Sequence, residues 1–322
     1  MTTGWCARHP VLVFAGRRSA RLLVALAVVV TASFALIHLI PGDPVRAALG
    51  AAAPAELVAE RTRELGLDRP LIDQFLSYLG GLVHGNLGTS LVSREPVSDI
   101  ISTRLPNTVL LGALAFLVVI VVAVPVGLAM AVLTRDDRHR GTELGFIALS
   151  STLGLIPNFV LATVGVAVFA VGLRALPVAG MTGAESYVLP VLSLALGPAA
   201  LLARIVRVEG LRVLGEDYLR TARAKRLPSR LIYLRHALPT MLTATLTIGG
   251  MLLPGLIAGT VLVENVFAWP GLGSEIVGAV VVKDYPVAQA VVLLLGVLVL
   301  LTNLVVDLAL AALDPRSTIL EG

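Results

Sequence analysis

The sequence predicts an all-α, polytopic membrane protein with six transmembrane helices and both termini on the cytoplasmic side. Three observations lead there. Of 322 residues, 57% are hydrophobic and only 14% are charged, where an ordinary soluble domain carries roughly 25% charged residues; mean hydropathy is +0.90. Six apolar runs recur along the chain, each near the 20 or so helical residues that a bilayer core requires. Finally, 17 of the 25 Lys and Arg residues fall in segments that an N-terminus-inside arrangement leaves inside, nine of them in 204–238, and it is the inner loops that collect positive charge.

Composition also excludes several classes. The pI near 9.6 invites a nucleic-acid reading, but the charges sit beside apolar runs, where they act as orientation signals. Membrane lipid, and no nucleic acid, is therefore the expected surrounding. The single cysteine, Cys6, allows no intrachain disulfide. His9, His38, His84, His139 and His236 are too scattered in sequence for a local metal-ligand spacing, so neither metal nor cofactor is expected.

Residues 1–105 read as a first transmembrane helix plus an extracytoplasmic subdomain. The first apolar run, 22–40, follows Arg17, Arg18 and Arg21 and is too long for a signal-peptide core. PGDP at 41–44 is a turn. The segment 54–65 has Pro at its start and Gly66 just beyond its end, the asymmetry of a helix. In 70–79, Leu71, Ile72, Phe75, Leu76 and Leu79 share one face, and Gly80-Gly81 is expected to stop the helix. Residues 41–104 hold eight acidic and six basic side chains, without the positive excess of an inner loop.

Residues 106–316 read as a five-helix core, with 317–322 as a tail. The spans are 107–133 with Pro125, 144–171 with Pro157, 187–206 with Pro198, 241–263 with Pro254 and with Gly255 and Gly259 in a close-packing spacing, and 287–313. Between the second and third spans lies the basic turn RDDRHR, 135–140. Between the fifth and sixth spans, residues 264–286 read as an external hinge. The prolines suit kinks lining a path, although Pro is common in membrane helices generally.

The segment that organises this core is the cytoplasmic loop at about 207–239. From 215 to 239 it reads GEDYLRTARAKRLPSRLIYLRHALP. Glu216 and Asp217 suit a helix N-terminus. Leu227-Pro228 breaks the helix, giving two short helices at 216–226 and 229–237, the second capped by Ser229. Leu231, Leu234 and Leu238 recur at helical spacing. Tyr218 and Ala222 share a face of the first helix, and small Ala222 and Ala224 allow close approach. That is the shape of a docking element at a membrane surface. The bland alternative is a loop whose basic residues only set topology.

Chemistry-bearing motifs are scarce. Lys225 and Lys283, the only lysines, do not follow Gly, so no phosphate-cradling Walker loop exists. Neither G-x-S-x-G nor H-E-x-x-H occurs, so the chain is not expected to be an enzyme. Asp307, with Asn303 one turn earlier, is an acid within an apolar span and hence a candidate pore or gating residue; structural pairing near the inner surface is its alternative.

DYLRTARAK (217–225) followed by RHALP (235–239) resembles the cytoplasmic signature loop of ABC-importer permeases. VLVENVFAWPGLG (261–273), DYPVAQ (284–289) and NLVVDLALAALDPR (303–316) are similar to the dipeptide, oligopeptide and nickel permease branch, as are IPGDP and LGTS (87–90). The resemblance implies a type I ABC-importer transmembrane fold in the bacterial inner (plasma) membrane. It implies a second permease subunit, by family habit a different chain, two ATP-binding subunits that supply the ATPase activity, and an external solute-binding protein. It makes Tyr218, Thr221, Ala222, Arg223, Ala224, Lys225 and Arg226 the residues that couple to the ATPase, with Thr221, Ala222, Arg223 and Ala224 in its cleft. Peptides are the expected solute, with nickel chelates and haem as alternatives. At one position the chain departs from the family, which usually has Gly where Arg226 stands. A self-contained channel or ion-coupled carrier is the competing class; it calls for several buried charges and an internal repeat, neither of which is evident.

Overall fold

The computed structural model describes residues 10–39, 43–50, 52–135 and 139–313. Parts of the turns expected at 41–44 and 135–140, together with Cys6, His9 and the tail 317–322, lie outside them. All named elements among the described residues are helical, and an isolated bridge between Thr89 and Pro96 is the only extended pairing there. We label the helices in order: α1 Pro10–Leu39, α2 Pro44–Leu49, α3 Ala55–Glu64, α4 Leu71–Val83, α5 Val97–Leu133, α6 Arg140–Leu155 and α7 Asn158–Gly165. There follow α8 Val188–Leu214, α9 Asp217–Ala224, α10 Ser229–Leu231, α11 Leu238–Gly250, α12 Leu253–Val266, α13 Leu272–Val281 and α14 Tyr285–Leu313.

Four helical segments are long and apolar enough to cross a membrane: Val97–Leu133, Ala184–Leu214, Thr245–Val266 and Tyr285–Ala309. A fifth span forms if Arg140–Leu155 and Asn158–Gly172 are taken together, but they are bent by 97°. The Pro157-bearing span expected at 144–171 is thus more than kinked: it is broken into two helices. Pro157 cannot donate to the preceding turn, and Ile156 before it is extended, at ψ 123°, as a residue preceding proline prefers. Pro125 and Pro198, by contrast, are accommodated inside α5 and α8. In α1 the described apolar stretch is Ala20–Leu36.

The core is built on α5 and α8, which pack along most of their lengths. Leu111, Ala115, Val119 and Ala123 recur every four residues on α5 and form a fully buried stripe. Glycine lets the two helices close up: a Cβ at Gly127 would sit 2.5 Å from Cβ of Val206, and one at Gly210 would sit 2.7 Å from Cβ of Ala131. Of the pair expected to pack closely in the fifth span, only Gly259 does so, against Asn158 and Leu194, whereas the Cβ position of Gly255 is open. A second core joins Val97 and Ile101 of α5 to Leu272 of α13 and to Val287 and Val291 of α14.

In the N-terminal subdomain, α3 starts after Pro54 and ends before Gly66, at φ +67°, as expected. Helix α4 does not stop at Gly80-Gly81. It runs to Val83, and Gly85, at φ +71°, makes the turn; helical glycine weakens a helix by about 1 kcal/mol without breaking it. The apolar face also divides. Phe75 and Tyr78 pack on Phe34 of α1 at ring separations of 5.1 and 6.0 Å, while Leu71, Ile72 and Leu76 remain exposed.

The region 264–286 is not a hinge. Phe267 and Trp269 are buried, α13 occupies Leu272–Val281, and residues 270–275 are bonded to α5 and α12.

Candidate functional site

The loop after α8 turns sharply at Gly215 and returns as α9. Two of its side chains, Leu219 and Ala222, are buried in the same cluster as Leu214, Ile232, Ala237 and Met241. Arg223 reinforces this seat by donating from Nη2 to the carbonyl of Leu214 at 2.5 Å. Arg212 pairs with Glu209 at 2.6 Å and Glu216 at 3.0 Å, bracing the turn. Helix α9 is therefore held against its own chain along one face.

The remaining face is free. Thr221, Ala224, Lys225 and Arg226 are exposed, and Tyr218 is 44% exposed while its hydroxyl donates to Thr240 Oγ1 at 3.2 Å. This reverses part of the sequence reading: Ala222 faces the chain's own core, and the small side chain on the outer face is Ala224. A spacing rule finds which residues share a face but not which face is buried.

The helix ends in a Schellman arrangement. The amide of Arg226 donates to the carbonyl of Arg223 at 2.8 Å and that of Leu227 to Ala222 at 3.3 Å. Arg226 itself is at φ +54°, in the left-handed region that favours Gly. A Gly at this position, which the resemblance leads one to expect, would have a backbone reason, and Arg226 holds the left-handed conformation without it. The expected second helix is also different in detail. It starts after Pro228 without a Ser229 side-chain cap and passes through a π-helical stretch, Ile232–Ala237, into α11. Its buried side chains are Ile232 and Ala237, and Leu234 is exposed.

At the other end of α12, Glu264 is fully buried (0% exposed). Its Oε2 accepts from the amides of Gly273 at 2.6 Å and Ser274 at 3.2 Å, and the Leu272 amide donates to Thr108 Oγ1 at 2.8 Å. These are orphan donors of the first turn of α13, here capped by an acid of α12 and a threonine of α5. Asn107 Nδ2 donates to the Pro270 carbonyl at 2.7 Å, and Trp269 stacks edge-on against Tyr187 at 4.6 Å. The glycines of WPGLG are required by this geometry: a Cβ at Gly271 would fall 2.3 Å from Glu264 Oε2, and one at Gly273 only 2.4 Å from Val261 Cα. Nearby, Asp284 accepts from the Ser90 hydroxyl and from the Leu91 amide at 3.1 Å, tying LGTS to DYP. Sequence reasoning missed Glu264 and Asp284 as anchors. The signal available was an acid at the end of an apolar run followed by two closely spaced glycines.

Asn303 and Asp307 lie one turn apart on α14, Asn303 exposed and Asp307 half-buried. On α8, Arg207, only 8% exposed, pairs with Glu143 at 2.5 Å and donates to Thr134 Oγ1 at 3.0 Å. Among the described residues, no group of three or more His, Cys, Asp or Glu could hold a metal.

Residues 123–319 match the family described as the binding-protein-dependent transport system inner membrane component, and residues 11–112 match its N-terminal companion. The chain belongs to this family. Similar proteins include the glutathione transport system permease protein GsiC of Salmonella choleraesuis, 38% identical over 93% of this chain and 96% of the relative. The protein of the same name from Escherichia coli K12 is 37% identical over the same shares. The chain is thus an ABC-importer permease subunit of the peptide and nickel branch, a multi-pass protein of the inner membrane. Permeases of this family work with another permease, an ATPase and a binding protein, and are generally not the catalytic subunit.

Proposed function

We propose that this permease forms half of the translocation pore of an ATP-driven peptide importer and couples to its ATPase through the outer face of α9. It crosses the membrane six times with both termini inside: α1, α5, the broken pair α6–α7, α8, α11–α12 and α14. The distribution of Lys and Arg supports this orientation. Residues 41–105 and 264–286 then face outward, where the solute-binding protein docks. The partner permease is a different chain, and two ATPase subunits sit beneath the pair.

The observation that carries the coupling reading is the mounting of α9. Leu219, Ala222 and Arg223 fix it to the core while Thr221, Ala224, Lys225 and Arg226 remain outside. A push on that face would be transmitted to α8 and α11 rather than absorbed by a slack loop. The peptide reading is supported by relatives named for glutathione, itself a tripeptide. Co-expression with the partner permease and ATPases, followed by reconstitution and uptake of labelled di- and tripeptides, tests both parts. ATP-dependent uptake is expected; a complex that binds the ATPase but transports no peptide would overturn the substrate class, and recovery without ATPase would overturn the coupling.

A further inference from the structure

The break in the third span opens onto a cavity of roughly 510 Å³ between α6, α7 and α8, within the size range of small-molecule sites. Ser151, Leu155, Asn158, Gly197, Pro198 and Arg204 are among its walls. Its depth follows from α8. Gly197 lies nine residues beyond Val188, about 14 Å along the axis, which is close to the middle of a core roughly 30 Å thick. Arg204 is about two turns further toward the inner side. Irregular backbone such as Ile156-Pro157 persists at membrane depth only when it is buried or beside a polar space, and Ile156 lines this cavity.

Its chemistry is that of an anion site. Arg204 donates from Nη1 to Ser151 Oγ at 2.8 Å. Neighbouring Arg207 is neutralised by Glu143 at 2.5 Å, but Arg204 has no carboxylate within ion-pair distance among the described residues. A guanidinium carries five donors and is costly within an apolar span unless a partner meets it. Asn158 adds a carboxamide where the eight-residue helix α7 begins, the end that favours negative charge.

We propose that this cavity receives a carboxylate of the transported solute on its passage through the inner half of the membrane. Arg204 is the counter-charge, and Ser151 and Asn158 supply hydrogen bonds. This assignment rests on the peptide reading, because a peptide necessarily carries such a group.

The test has two arms, both on the complete transporter with Cys6 replaced by Ala. In the first, Gly154→Cys, which has open space around its Cβ position, is labelled with an anionic and a cationic methanethiosulfonate of similar size. The anionic reagent should react faster, and Arg204→Gln should lower that preference about tenfold, the order expected for one charge several ångströms away at an intermediate dielectric. In the second arm, with glutathione as probe, Arg204→Gln should reduce uptake at least tenfold and Arg204→Lys should retain part of it, with the ATPase co-purifying in parental amounts. An unchanged charge preference, parental uptake by Arg204→Gln, or loss of uptake matched by loss of the ATPase would each overturn the proposal. A parental transporter that takes up no peptide would instead overturn the peptide reading and the ligand assigned from it, while the labelling arm would still decide whether the cavity attracts anions.

Discussion

Gly273→Ala should cripple the permease, whereas Gly278→Ala, in the same helix, should not. The added Cβ at 273 would lie 2.4 Å from Val261 Cα and 2.9 Å from Glu264 Oε2. Val261 Cα is backbone and cannot swing aside, so α13 must move away from α12. That displacement breaks the two bonds to Glu264, 2.6 and 3.2 Å long. Each lost hydrogen bond costs about 0.5–1.5 kcal/mol, and overpacking adds about 1–3 kcal/mol. The total, about 2–6 kcal/mol, is a large part of a typical whole-protein stability of roughly 5–15 kcal/mol. At Gly278 nothing lies within 4 Å, and helical Gly→Ala should stabilise by up to about 1 kcal/mol. The assay is the fraction of detergent-purified chain that stays monodisperse after heating. Gly273→Ala should lose most of it many degrees earlier than the parent. A Gly273→Ala protein that survives as well as Gly278→Ala would refute the reasoning that Glu264 and the close α12–α13 approach hold this region together.

Three further outcomes are expected. Arg226→Gly should relieve the left-handed residue at the end of α9 by about 1 kcal/mol, seen as slower amide exchange over 217–227; faster exchange would contradict the cap. Ala222→Glu should reduce recovery of folded chain, because it forces a carboxylate into the core at a cost of several kcal/mol, while Thr221→Glu should leave folding intact; equal recovery of the two would deny the burial of Ala222. Asp284→Ala should free the loop tied through Ser90 and Leu91 and speed tryptic cleavage at exposed Arg94 several-fold; unchanged cleavage would show the tie to be dispensable.

The all-helical fold and its apolar spans were legible because apolar length reports directly on the membrane. Pro54 and Gly66 marked α3 correctly. What was hidden depended on tertiary contacts. Gly80-Gly81 looked like a stop, yet α4 runs through both and packs on Phe34. Pro125, Pro157 and Pro198 are alike as letters, but only Pro157 breaks its span. At the candidate site the loop and its helix–Pro–helix plan were readable, and the left-handed turn was foreshadowed by the family's Gly at 226. The inward turn of Ala222 was not, since periodicity defines a face without saying what covers it. Glu264 was overlooked because an acid at a span end resembles an interfacial residue; only the structure brings α13's free amides to it.

The central claim, that the outer face of α9 meets the ATPase, is tested most directly by site-specific cross-linking. In a Cys6→Ala background, Thr221→Cys and Ala224→Cys are each joined to the co-expressed ATPase by a short bifunctional thiol reagent, with Ser93→Cys, which the proposed topology puts on the opposite side of the membrane, as control. Both α9 positions are expected to give a permease–ATPase adduct whose yield changes with ATP, and Ser93→Cys to give none. An intact complex in which neither α9 position cross-links would contradict the claim and leave the basic loop as a topology signal alone.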